Sequence, residues 1–202
     1  VNEAITSDNL LFGTPWTSTT VQLWAWNGSM DPNVLTDDVI GQDTDPYEGM
    51  ISFSDEVASF VYDKPMSFKE LQIHAAIPGN LNPTTPAGIK IEVNQDGSWM
   101  TIADKQDFAP SDTGRSYVFA TADGNAIDAD QVRITFTKVN AEGKWGGISL
   151  TEIEAFAETT GAVADAELSI PTEATEVPTF TDIERRGISV RWWNAVLSVV
   201  QE

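Results

Sequence analysis

The sequence predicts an all-β chain folded as a two-sheet antiparallel β-sandwich of jelly-roll type. Short runs of alternating apolar and polar residues recur between Gly, Pro, Asn and Asp turns from residue 21 to residue 156. No helical period competes with them for long in that span. Apolar residues make up 41% of the 202, with seven Trp and nine Phe, so a sizeable core is within reach. Strands this short and evenly spaced, without helices between them, pack as two sheets face to face.

Taken in order, the predicted strands are 21–26, 49–53, 57–62, 68–74, 88–93, 98–103, 115–120, 131–138 and 147–156. The alternation is cleanest in 131–138: Val132, Ile134 and Phe136 face one way, Arg133, Thr135 and Thr137 the other. Arg115 and Arg133 are expected on the solvated face of their strands. Beyond Phe156 the composition changes. Residues 158–181 carry five acids, Pro171 and Pro178, no basic residue and few large apolar side chains, which reads as an extended linker arm. From Thr181 it changes again. Thr181 and Glu184 fit a capping box, and Trp192, Trp193, Val196, Leu197 and Val200 crowd one face of a short terminal helix. A strand through Ile188, Val190 and Trp192 is the competing reading. The organisation expected is a sandwich over 1–157, an arm over 158–181 and an apolar assembly segment over 182–202.

Charge and composition exclude several functions. Thirty-one acidic residues against eleven basic ones give a formal charge of −20, the wrong sign for a nucleic-acid backbone or an anionic membrane surface. Zero cysteine and one histidine remove disulfides, thiolate chemistry and multi-histidine metal sites. No run reaches the ~18 apolar residues of a membrane span. The first residues show no signal-peptide pattern, and a removed leader leaves secretion open. The chemistry left is carboxylate, hydroxyl and aromatic, which suits sugars and hard cations.

Four motifs, in order, resemble the discoidin (coagulation-factor five/eight type C) domains and the galactose-binding carbohydrate-binding modules. They are Asn9-Leu10-Leu11, Leu35-Thr36-Asp37-Asp38-Val39, the stretch from Ile91 through Asp96-Gly97-Ser98 to Trp99, and the closing run from Ile148 to Phe156. The resemblance covers 9–156 and does not reach the arm. Asp38 stands where the family carries glycine, and Trp99 comes one residue early. The resemblance implies a galactose-binding-like sandwich, a glycan ligand, and a structural calcium near Asp37 closed by Glu152 or Glu154 from the last strand.

The residues themselves supply candidates for both. Asp37, Asp38 and Asp43 lie in one acidic loop region of the kind that offers Ca²⁺ its six to eight oxygens. A merely solvated acidic loop is the alternative. Glu152 and Glu154 share the apolar phase of Leu150 and Phe156, an odd place for a carboxylate unless it is paired or ligated. Asp38 either adds a ligand or obstructs the turn a glycine allows. Trp16, Trp24, Trp26 and Trp145 are candidate platforms for a sugar face, with Trp24 and Trp99 read as core. Trp26 with Asn27 and Lys144 with Trp145 flank turns, and are the preferred binding candidates. His74, the sole histidine, is carried as a ligand candidate, although a structural role fits its strand-end position better. No nucleophile triad, phosphate loop or zinc motif carries a family signature, so the reading is non-enzymatic. The sequence thus points to a glycan-binding or adhesion module on a cell or virion surface, joined to other subunits through its C-terminal segment. A decoration or spacer subunit that uses the sandwich without sugar is the alternative.

Overall fold

The structure is a computed structural model, and describes residues 8–18, 24–25, 33–40, 51–53, 57–75, 85–109, 114–137 and 148–171, of which 24–25 and 51–53 by backbone alone. The described elements are all strands: β1 (Trp16–Ser18), β2 (Trp24–Ala25), β3 (Ile51–Phe53), β4 (Val57–Tyr62), β5 (Met66–Phe68), β6 (Glu70–Ala75) and β7 (Gly88–Gln95). They continue as β8 (Ser98–Lys105), β9 (Arg115–Thr121), β10 (Ile127–Ala129), β11 (Gln131–Thr137), β12 (Ile148–Leu150), β13 (Glu152–Phe156) and β14 (Ala166–Leu168).

Two larger sheets form the sandwich. One has the order β1-β4-β11-β7-β8, the other β13-β6-β9-β14, with β12-β3-β2 and β10-β5 as small sheets beside them. All pairings are antiparallel except β14 against β9, which is parallel. The core follows the period of two along each strand. Phe60, Tyr62, Ile89, Ile91, Val93, Val132, Ile134 and Phe136 of the five-stranded sheet are buried in one cluster with Leu71, Ile73, Tyr117, Phe119, Ile153 and Ala155 of the four-stranded sheet. Phe60 makes edge-on contacts with both Trp16 (5.1 Å between centroids) and Phe136 (5.7 Å).

Three expectations are corrected. Trp16 is core, with its ring against Phe60, and offers no sugar platform. Trp99 is half-buried on the outer face, where the Arg133 guanidinium lies 4.2 Å from its ring centroid. Arg133 and Arg115 are not simply solvated: Arg133 bonds Glu92 at 2.7 Å and Arg115 bonds Asp165 at 2.5 Å.

The span read as the start of a linker holds a strap and a strand. The sandwich unit runs to Pro171. Thr160 donates through its backbone N–H (3.0 Å) and its hydroxyl (2.6 Å) to the fully buried carboxylate of Glu70. Asp165 accepts the Val118 N–H at 3.0 Å, and β14 then buries Leu168 beside β9. Ser169 closes the side of the sandwich by donating to the Ile102 carbonyl of the opposite sheet at 2.9 Å. A strap fastened mostly by polar bonds has no hydrophobic periodicity to announce it. The segment read as a terminal helix lies outside the described residues, and no described helix is long and apolar enough to cross a membrane.

Candidate functional site

Three of the four resemblance motifs, far apart in sequence, meet at one end of β13. Leu10 N–H donates to Ala155 O, and Ile153 N–H to Leu35 O, each at 2.7 Å, so the opening turn and the acidic loop both line the edge of β13. Asn9 ties them together. Its Oδ1 accepts from Leu11 N–H (2.9 Å) and Ala155 N–H (3.0 Å), while its Nδ2 donates to Asp38 Oδ1 (3.1 Å) and Glu152 Oε1 (3.4 Å).

Asp38 takes a φ of +62°, the left-handed conformation for which the resembling domains use glycine. An aspartate tolerates that region better than most side chains. The turn therefore forms, aided by a bond of 3.0 Å from Val39 N–H to Asp37 Oδ1. The turn aims the Asp38 N–H at Glu152 Oε1, 3.3 Å away.

Glu152 is fully buried, and its Oε2 meets no hydrogen-bond donor among the described residues. Burial, and then the neighbouring Asp37 carboxylate, push its pKa up from 4.5 to about 9, against the pull of the Asp38 N–H. The Tyr62 hydroxyl is likewise buried without a partner among the described residues, and burial followed by the Glu152 charge hold it well above its usual range. A buried acid facing a second carboxylate has two stable states: it keeps a proton, or a cation replaces that proton.

Glu154, the other glutamate of the closing strand, serves a different group. Its Oε2 lies 2.8 Å from His74 Nε2, and His74 Nδ1 lies 2.7 Å from Ser116 Oγ. His74 is buried at 6% exposure, a partnered histidine with both ring nitrogens engaged. Of the proposed metal ligands, Asp37 and Glu152 are therefore together, Asp38 adds a backbone donor beside them, and Glu154 is committed elsewhere. Among the described residues no three carboxylate or histidine side chains converge. Asp43 lies outside the described residues, as do Trp26, Asn27, Lys144, Trp145, Trp192, Trp193, Val196, Leu197 and Val200. Reading the sequence missed Ser116 and Glu70. A serine or glutamate on a strand gives no local signal, since their roles come from cross-strand neighbours.

The fold can be placed among known structures. The family 32 carbohydrate-binding module of Streptococcus pneumoniae EndoD matches at 14% identity and TM-score 0.53, over 74% of this chain and 99% of that one. SpGH29 matches at 15% identity and TM-score 0.51 over 75% of this chain, which spans only 28% of SpGH29. The family 32 module of C. perfringens NanJ, solved with galactose, aligns at 16% identity and TM-score 0.45 over 69% of this chain and 92% of that one. No family model and no curated protein matches the sequence. The chain has the galactose-binding-like β-sandwich fold of the family 32 modules.

Proposed function

We propose that the chain is a glycan-binding module that acts by adhesion, without cleaving the glycan. The observation that carries this reading is the fold match to the EndoD module, which spans 99% of that module's length. The residues proposed to contact sugar are Trp26 with Asn27 and Trp145 with Lys144. An indole supplies the flat apolar face that a pyranose ring stacks on, and the amide and ammonium supply donors for its hydroxyls. Stacking losses on truncation are on the order of 1 kcal/mol each, roughly a fivefold loss of affinity, which takes a weak hit below detection. A broad glycan array at high protein density tests the reading. At least one hit should be lost in Trp145→Ala or Trp26→Ala, and an array with no such hit counts against it.

Asp37 and Glu152 fit a structural divalent cation. The supporting observation is the buried Glu152 Oε2 that meets no donor, beside a second carboxylate in an all-oxygen donor set. Ca²⁺ takes such oxygens, and its charge would replace the proton that holds the two acids together. Those residues would tie the acidic loop to the closing strand, a stabilising role. For the C-terminal segment we propose docking on another subunit, on the strength of the Trp192, Trp193, Val196, Leu197 and Val200 stripe in its sequence.

A further inference from the structure

We propose a second activity, independent of glycan binding: Ser116 is an activated hydroxyl that accepts short acyl groups from esters, with His74 as its base and Glu154 orienting the imidazole. The three residues come from three adjacent strands, β9, β6 and β13, of the four-stranded sheet. The inner face of that sheet is taken by Leu71, Ile73, Tyr117, Phe119, Ile153 and Ala155, all fully buried, so the intervening side chains share the outer face. His74 stands directly opposite Ser116 in the register. The contacts run from Ser116 Oγ to His74 Nδ1 at 2.7 Å and from His74 Nε2 to Glu154 Oε2 at 2.8 Å.

Exposure is graded in the sense a nucleophile needs. The His74 and Glu154 side chains are 7% and 14% exposed, whereas Ser116 is open to solvent. A carboxylate can only accept, so the tautomer that satisfies the 2.8 Å contact with Glu154 carries its hydrogen on Nε2. The other nitrogen then holds a lone pair, and Ser116 is the donor to it. Nucleophile, base and orienting carboxylate within hydrogen-bond reach are the arrangement that activates a serine. The ring is used in the opposite sense from the serine-hydrolase template, which changes nothing chemically because either nitrogen can serve as base.

The step balances with no outside redox partner. Ser116 Oγ attacks the ester carbonyl carbon as its proton passes to His74 Nδ1. The tetrahedral adduct collapses, the bond from carbonyl carbon to leaving oxygen breaks, and that oxygen takes the proton from His74. Acyl-Ser116 remains, and water attacks it by the same proton path to restore the serine and release the acid. Ser116 is exposed, but its neighbours on that face, His74 and Val118, are buried, so small, unhindered esters fit best and the substrate class is the short-chain O-acyl ester. General-base assistance contributes about 10²–10⁴-fold.

The test treats the full chain with p-nitrophenyl acetate and maps acetylation by mass spectrometry. Ser116 should acetylate about 10²-fold faster than in His74→Gln, and Ser116→Ala should lose that adduct. Melting curves identify variants that remain folded. The sole histidine gives one pair of ring ¹⁵N resonances. In the neutral state of the native chain these should report hydrogen on Nε2, a preference that Glu154→Ala, which leaves no acceptor there, should abolish along with the rate. Acetylation confined to lysines, an equal Ser116 rate in folded His74→Gln, or hydrogen on Nδ1 in the native chain would each overturn the proposal. Should His74→Gln not fold, the Ser116 adduct and the native ¹⁵N pattern decide the matter. None of these outcomes bears on the glycan reading.

Discussion

Replacing Glu152 with glutamine removes one titrating group and little else. The side chain keeps its shape, its Oε1 still accepts from Asn9 and Asp38, and its new amide donates toward Asp37. The native carboxyl holds its proton up to about pH 9, whereas the ordinary value is 4.5. Between those limits the unfolded chain binds fewer protons at this site than the folded one. Glu152 therefore lets stability fall as pH rises, fully retained below the unfolded value and lost progressively toward the folded one. The slope is about 1.4 kcal/mol per pH unit, so from pH 6 to pH 8 in chelator the native chain should lose roughly 2–3 kcal/mol more than Glu152→Gln. Urea unfolding at each pH measures the difference, and the other acids cancel between the two chains. Added Ca²⁺ should restore the native protein, by about 2.7 kcal/mol at a hundredfold excess over Kd, and should leave the variant unchanged. Parallel pH slopes would refute the buried, proton-sharing acid. Calcium-independent melts of the native chain would refute the cation site.

Three further outcomes are expected. Leu168→Ala should cost about 2–4 kcal/mol in denaturant unfolding, because Leu168 is 2% exposed in the core; a cost near zero would return 158–171 to the status of a linker. Glu92, held below the ordinary carboxylate range chiefly by its bond to Arg133, contributes stability above pH 4.5 that is lost as pH falls through its lowered value. Glu92→Gln should accordingly lose less stability than the native chain on acidification, and an unchanged acid limb contradicts the pairing. Deleting 182–202 should leave a folded monomer while abolishing any assembly seen by light scattering, whereas loss of the cooperative melt would assign that segment to the domain's own core.

The sandwich was legible where burial and alternation coincide. In β11, Val132, Ile134 and Phe136 are fully buried while Arg133 and Thr135 are half-buried, and only a half-buried strand writes that pattern. β1, β10 and β14 were not legible and β5 was not told apart from β6; each is three residues long and, unlike the equally short β3 and β12, sits in no longer apolar run of its own. The apolar phase of the closing strand belongs to Ile153 and Ala155, not to Glu152 and Glu154 as expected; Glu152 is buried on the opposite face, beside Asp37 and Asp38 of the acidic loop. Nothing local separated it from Glu154. Register sets Glu152, not Glu154, opposite His74; their fates diverge because Glu152 turns to Asp37 and the Asp38 N–H while Glu154 reaches His74 diagonally. Trp99 was misread because a large aromatic in a strand is usually core, and here a guanidinium across two strands covers its ring.

Glycan binding through Trp26 and Trp145 is the proposal to test first. Affinity electrophoresis through native gels containing a panel of soluble polysaccharides measures it directly, with gels lacking polysaccharide as the reference. The native chain should be retarded in at least one gel, and the Trp26→Ala, Trp145→Ala double variant should run there at its reference mobility. Equal mobility of the native chain in every gel, or equal retardation of the folded double variant, would contradict it.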